Sequence, residues 1–222
     1  NPQLAAVAAG AEPVDWRHIP AVPVALFRDL DLTSFPVADA KLVFRTSGTT
    51  GRRGAVHLPD TALYDRGARR HAEAVLGPLP RAGVSLAPVA EDASLAHMCR
   101  DLVPDMPTFF SLEEGVDAVG AWAALRAATG PVFVPGTAFA FADLVQHATA
   151  PVTLPAGSIV MVTGGFKGRR VALSDADLTL QLSALLPGAR LVGEYGMTEL
   201  SSQLWSARLG EPFTPPPWLG VV

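Results

Sequence analysis

Short apolar runs and helix-period segments alternate along this chain from about residue 41, and that alternation restricts the fold more than any other feature. Residues 42–44, 84–87, 109–110, 132–134, 158–162 and 191–192 are brief and apolar, as strands buried in a sheet are. Helical patterns lie between them, over about 59–76, 93–103, 116–128 and 138–148. Leu178, Leu182, Leu185 and Leu186 share one helical face at i, i+4, i+7 and i+8. Pro59 stands in the first turn of the first of these helices and Gly77 just past its end, positions that suit both residues. Strand, helix, strand, repeated, predicts an α/β fold with a mostly parallel sheet flanked by helices. Such sheets bind ligands at the carboxyl ends of their strands, so the loops that leave strands are where chemistry is expected.

Composition narrows the classes. Of 222 residues, 49% are hydrophobic and 17% charged, which excludes a disordered chain. The net charge is -4 and no basic block stands out, so no nucleic-acid partner is expected. No run of eighteen apolar residues occurs, and no membrane span is expected. The one cysteine, Cys99, cannot form a disulfide framework within the chain, which fits a cytoplasmic, reducing location. The start, Asn1-Pro2-Gln3, lacks a methionine and the basic opening of a signal peptide. Val222 ends inside what reads as a strand, so further sequence is expected beyond it. Residues 5–9 look helical, and Pro20, Pro23 and Pro36 impose extended chain after them. One domain over 1–222 is expected, with 151–222 as a partly separate lobe in the alternative reading. The run Pro215-Pro216-Pro217 reads as a stiff connection.

Three loops stand out. The first is Thr46-Ser47-Gly48-Thr49-Thr50-Gly51-Arg52-Arg53-Gly54. Its glycines let backbone N–H groups turn toward an anion, its hydroxyls add donors and its arginines add positive charge. That composition suits nucleotide phosphates. It is not a Walker loop, because no Gly-Lys-Ser/Thr closes it. The second is Gly193-Glu194-Tyr195-Gly196-Met197-Thr198-Glu199. Tyr195 could stack on an adenine, Thr198 could bond a phosphate oxygen, and Glu199 could hold Mg²⁺, which prefers oxygen ligands. Alone, Glu199 is better explained as a helix-start carboxylate facing the dipole. The third is Thr163-Gly164-Gly165-Phe166-Lys167-Gly168-Arg169-Arg170, whose paired glycines permit close approach of a flat ligand. Viewed singly, it is as well explained by a tight turn.

Together these strings resemble the adenylate-forming superfamily of acyl-CoA synthetases, carrier-protein adenylation domains and luciferases. Thr46–Gly51 is similar to its phosphate-binding loop. Tyr195-Gly196-Met197-Thr198-Glu199 is similar to its adenine- and magnesium-binding motif, about 150 residues further on. Thr163–Gly168, Glu194–Leu200 and Pro216-Pro217-Trp218-Leu219, with Ile19–Pro23 and Phe27, resemble the acyl-protein synthetase (LuxE-type) family more narrowly. Phenylacetate-CoA ligases are similar in pattern.

The resemblance implies the large N-terminal-type domain of adenylate-forming enzymes. Such a domain uses ATP and Mg²⁺ to activate a carboxylic acid, here a fatty acid, as an acyl-adenylate. A thiol on an acceptor protein, on CoA or on a reductase partner would then take the acyl group. By the same resemblance Thr46, Ser47, Gly48, Thr49, Thr50 and Gly51 hold the ATP phosphates. Gly164 and Gly165 line the adenine and acyl pocket, and Tyr195 with Gly196 packs on the adenine. Thr198 and Glu199 act at the reacting phosphate, Glu199 as the metal ligand.

This sequence departs from the pattern at several points. Arg52 and Arg53 stand where many superfamily loops carry lysine, and Gly193 where asparagine is frequent. The ribose-binding aspartate and the small C-terminal domain with its catalytic lysine are expected after residue 222. A non-catalytic nucleotide- or acyl-binding module and an aryl-CoA ligase are the alternative readings. Cys99 reads as a buried small hydrophobe rather than a thiolate paired with His97. His18, His57, His71 and His147 show no metal-ligand spacing.

Overall fold

The computed structural model describes residues 21–46, 52–164 and 174–220. After a one-turn helix α1 (Leu26–Asp29) come strands β1 (Leu42–Arg45) and β2 (Ala55–Leu58), helix α2 (Ala62–Leu76) and strand β3 (Ala82–Gly83). Helix α3 (Ser94–Leu102), the small hairpin β4 (Phe110–Ser111) and β5 (Gly115–Val116), and helix α4 (Ala118–Arg126) follow. Then come β6 (Val132–Thr137), α5 (Ala138–Gln146), β7 (Ile159–Thr163), α6 (Asp175–Leu185), β8 (Arg190–Gly196) and β9 (Gln203–Ser206). The expected helix 5–9 lies outside the described residues.

The described residues form a five-stranded sheet in the order β3-β6-β7-β8-β9, with β3, β6, β7 and β8 parallel and β9 antiparallel. The expected α/β architecture, a mostly parallel sheet flanked by helices, is therefore present. Residues 151–222 supply β7, β8 and β9 of the sheet that β3 and β6 begin.

Period-two alternation sorts the strands between two cores. Val134, Val160 and Val162 pack with Trp122, Phe141 and Leu182 of α4, α5 and α6. Phe133, Ile159, Met161 and Val192 face the other way, with Ala68 and Ala72 of α2 and Met98 and Leu102 of α3. All five residues of β7 are buried. A strand buried on both faces has to be apolar throughout, which is why 158–162 reads as it does.

Local chemistry sets the helix limits. Helix α2 starts at Ala62, three residues after Pro59, because Asp60 Oδ1 accepts the Ala62 N–H at 2.9 Å. It ends at Gly77, whose φ of 75° lies in the left-handed region that favours glycine. Helix α6 opens on a reciprocal cap between Ser174 and Asp177.

Two features differ from expectation. Strand β3 is Ala82–Gly83, and 84–86 continues alongside β6 through bonds such as Leu86 N–H to Pro135 O, at 2.7 Å. The first Gly/Thr loop does not leave a strand of the main sheet; it joins β1 to β2 in a separate antiparallel pair.

The chain then returns along the outside of β9. Trp205 and Thr214 exchange both backbone hydrogen bonds, at 3.2 and 2.8 Å, and Pro215–Pro217 follow. His71 Nε2 on α2 hydrogen-bonds the Thr214 carbonyl at 2.9 Å.

Gly188, between α6 and β8, has φ +90°, and a Cβ there would stand 2.3 Å from the Leu154 carbonyl oxygen. Gly188→Ala is expected to cost at least about 2 kcal/mol, from the left-handed backbone and the backbone clash together. Gly130→Ala, where a Cβ meets nothing within 4 Å, should change stability by less than about 1 kcal/mol. Urea midpoints of the two variants check this.

Candidate functional site

A cleft of about 390 Å³ opens at the carboxyl ends of β6, β7 and β8. The ladder register sets its floor. Thr137 pairs with Thr163, and Thr163 with Glu194, so three polar residues lie side by side across three parallel strands. All three line the cleft. Their side chains point to the α2–α3 side, by the parity that buries Met161 and Val192 there. Thr163 Oγ1 donates to Glu194 Oε2. Gly196 has a steric role beside them: a Cβ there would meet Glu194 Oε1 at 2.6 Å. Glycine thus leaves room for the carboxyl.

One wall is the neck of the first loop. Thr46 N–H donates to Gly54 O at 3.0 Å, and Gly54 N–H to Thr46 Oγ1 at 2.9 Å. Arg53 braces both sides of this neck: its Nε donates to Thr46 O at 2.6 Å and its guanidinium to Asp92 Oδ2 at 2.9 Å. Arg45 N–H in turn donates to Asp92 O at 2.7 Å. The charge of Arg53, expected at the phosphates, is therefore engaged in holding the loop's base. An ion pair this exposed is worth only about 0–1 kcal/mol in stability, so its effect is to position.

The opposite wall is the start of α3, where Ala93, Ser94 and Leu95 line the cleft. This helix begins without a side-chain cap, and its first N–H groups have no helical acceptor. Ser94 Oγ lies 3.4 Å from Thr198 Oγ1, which ties the helix start to the turn at Thr198–Leu200. That turn sits inside the β8–β9 hairpin, whose last pair is Gly196 with Gln203. Ser201 closes it with φ 50°. Met197, Thr198 and Glu199 all line the cleft.

Of the residues singled out from sequence, Thr46, Gly164, Gly196, Thr198 and Glu199 meet around this one cleft. Ser47, Gly48, Thr49, Thr50, Gly51 and Gly165 lie outside the described residues. Gly164 has φ +66°, which its lack of a side chain accommodates. Tyr195 does not line the cleft. Strand parity turns it to the other face, where it is half-exposed, 6.0 Å between centroids from the Phe213 ring. Phe213 also accounts for Gly193, since a Cβ there would stand 3.2 Å from that ring.

His97 pairs with Asp65 at 2.6 Å and not with Cys99. Cys99 is fully enclosed, and burial, then the nearby Glu194, pushes its thiol up. It behaves as the small hydrophobe expected. His57 pairs with Asp31 at 3.0 Å, away from the cleft.

Sequence reasoning gave no site role to Tyr64, Glu194 or Gln203. Each lines the cleft and each is buried. Gln203 Nε2 donates to Tyr64 Oη at 2.9 Å, and Tyr64 Oη donates to the Ser94 carbonyl at 3.1 Å. The available signal was a carboxylate sharing strand parity with apolar Val192. Burial pushes Glu194 from 4.5 up to about 7, opposed by the Thr163 hydrogen bond.

No protein-family model and no curated protein matches this chain. Its fold is similar to VinN in complex with L-aspartate, with TM-score 0.50 and 18% identity, covering 84% of this chain and 42% of that one. It is also similar to O-succinylbenzoate coenzyme A synthetase (MenE) from Bacillus subtilis in complex with ATP and magnesium ion. There the TM-score is 0.51, identity 17% and coverage 79% and 35%. ATP-bound MatB from Rhodopseudomonas palustris gives 0.53 and 15%, with coverage of 82% and 34%. At these identities the likeness is one of fold. The chain spans between about a third and two fifths of these proteins' lengths.

The Glu194 shift fixes a pH dependence. Unfolded, the carboxyl ionises near 4.5; folded, it keeps its proton to about 7. Rising pH therefore disfavours the folded state across that window, and above it the full penalty, roughly 3 kcal/mol, applies. Glu194→Gln removes the penalty. Its thermal midpoint should exceed that of the parent by several degrees at about pH 8.5 and show no such gain at about pH 4.5. Equal differences at both values would contradict this.

Proposed function

We propose that this chain carries the nucleotide- and acid-binding part of an adenylate-forming ligase. The reaction joins a carboxylic acid to ATP, giving an acyl-adenylate and pyrophosphate, and the acyl group then passes to a thiol on a protein or on CoA. One observation carries the reading: Thr46, Gly164, Gly196, Thr198 and Glu199, drawn from three separated sequence strings, converge on a single cleft. The fold shared with MenE and MatB, both solved with ATP, supports it.

The residues present fit a triphosphate and Mg²⁺. The uncapped start of α3 offers N–H donors and the positive end of a helix dipole to an anion. Arg45 adds a guanidinium to the lining, and Thr198 a hydroxyl. Glu199 supplies a carboxylate beside Thr198, and a single carboxylate suits Mg²⁺, which completes its shell with phosphate oxygens and water. When bound, the metal would neutralise phosphate charge.

The protein's share of the chemistry is positioning and charge stabilisation. Thr198 holds the α-phosphate. The acid lies on the floor formed by Thr137, Thr163 and Glu194, its carboxylate directed at the α-phosphorus. An oxygen of that carboxylate forms the new P–O bond as the bond to pyrophosphate breaks in line. The leaving group exits toward Thr46 and the first loop. Tyr195, on the other face of β8, would meet an adenine at the strand's end, and Gly165 and residues 47–51 complete the nucleotide site in this reading. The sequence resemblance to acyl-protein synthetases favours a fatty acid and a protein thiol.

Acid-dependent exchange of labelled pyrophosphate into ATP tests the reaction. It should require Mg²⁺ and fall about 100-fold or more in Glu199→Gln, with the folded spectrum unchanged. ATP binding without exchange, over a panel of fatty, aryl, amino and hydroxy acids, would overturn the reading.

A further inference from the structure

The floor of the cleft presents hydrogen-bond acceptors that the described residues leave without donors. Thr163 Oγ1 donates its one proton to Glu194 Oε2, and among the described residues Glu194 Oε1 receives none. Tyr64 Oη donates its one proton to the Ser94 carbonyl, so Gln203 must direct its Nε2–H at the Tyr64 oxygen. That assignment fixes the amide orientation and leaves Gln203 Oε1 free of a donor among the described residues. Glu194 is 5% exposed and Gln203 6% exposed, yet both line the cleft. Both side chains reach the cleft rather than being sealed from it, and an acceptor that a ligand covers there without a donor is costly, a carboxylate more so than an amide. A plain alkyl chain laid on this floor would cover both oxygens and satisfy neither.

We propose that this floor selects a carboxylic acid carrying a hydrogen-bond donor, an amine or a hydroxyl, with Glu194 and Gln203 accepting from it. The inference rests on the adenylation reading for the reaction and names the substrate class of the same cleft. It departs from the unsubstituted fatty acid that the sequence resemblance implies. Burial pushes Glu194 up, and an approaching ammonium group would favour its charged form. Sites built around a donor reject the analogue lacking it by up to about 10⁴-fold, whereas one methylene more or less changes preference only about 10–200-fold. The discrimination should therefore be large.

Two measurements on the chain as it stands test this. The first compares pyrophosphate exchange for amino acids, hydroxy acids and unsubstituted alkanoates of matched length, in the parent, Glu194→Gln and Glu194→Leu. The expected result is at least about 100-fold higher kcat/KM for a donor-bearing acid than for its alkanoate. That ratio should narrow in Glu194→Gln and collapse in Glu194→Leu. Whether amino or hydroxy acids win identifies the donor. The second is calorimetric binding of the same acids, with thermal melts confirming that each variant is folded. It separates the two readings: no exchange with any acid, but donor-dependent binding lost in Glu194→Leu, would fail the adenylation reading and keep this one. An alkanoate preferred by the parent, a preference unmoved by Glu194→Leu, or no acid bound at all would overturn it.

Discussion

The lateral register of β6, β7 and β8 is the constraint on which the rest depends. Pairing Thr137 with Thr163 and Thr163 with Glu194 aligns three strand ends in one row, with neighbouring strands about 4.8 Å apart. The same register sends Val160 and Val162 to one core and Ile159 and Met161 to the other. A slip of one residue in β7 would reverse both assignments and part Thr163 from Glu194. Packing below and polarity at the tip are thus one decision, fixed by one ladder.

Around that row the supports differ in kind. The floor is held by the packing of β6 and β7, buried along most of their length, and by the Thr163–Glu194 hydrogen bond. The neck of the first loop is held by polar contacts at the surface, with Arg53 bridging Thr46, Arg45 and Asp92. Asp92 lies just ahead of α3, so the same residue links the neck to the helix start. Ser94 extends the connection to Thr198. Residues far apart in sequence are kept in register by short polar bridges between rigid elements.

Much of this was legible in the sequence. The strands at 132–134 and 158–162 and the helices around them follow from apolar period and from Gly and Pro punctuation, since burial on both faces leaves little ambiguity. Thr46, Gly164, Thr198 and Glu199 were singled out by the resemblance of their three loops, and they line one cleft. The rest needed three dimensions. Nothing local shows that the first loop spans an antiparallel hairpin, because β1 and β2 are four residues each and partly exposed. Tyr195 and Glu194 are adjacent in sequence, and only the sheet shows which of them faces the cleft. Glu194 and Gln203 received no role because a buried polar residue resembles a surface one until its partners are known. Arg53 looked like a phosphate ligand because its charge is visible in sequence and its backbone acceptors are not.

The return of the chain past β9 has a consequence for how the molecule meets its own copies. An open sheet edge is a template on which another chain can add a strand. Here the outer edge of β9 is closed at Trp205 by Thr214, and the next three residues are prolines, which have no N–H to offer a newcomer. At the opposite edge β3 is two residues long, and Ser85 beyond it is bridged to Thr108. Both borders of a sheet with a strongly apolar interior are thereby unattractive to intermolecular pairing, so the stiff proline run works as a guard against aggregation.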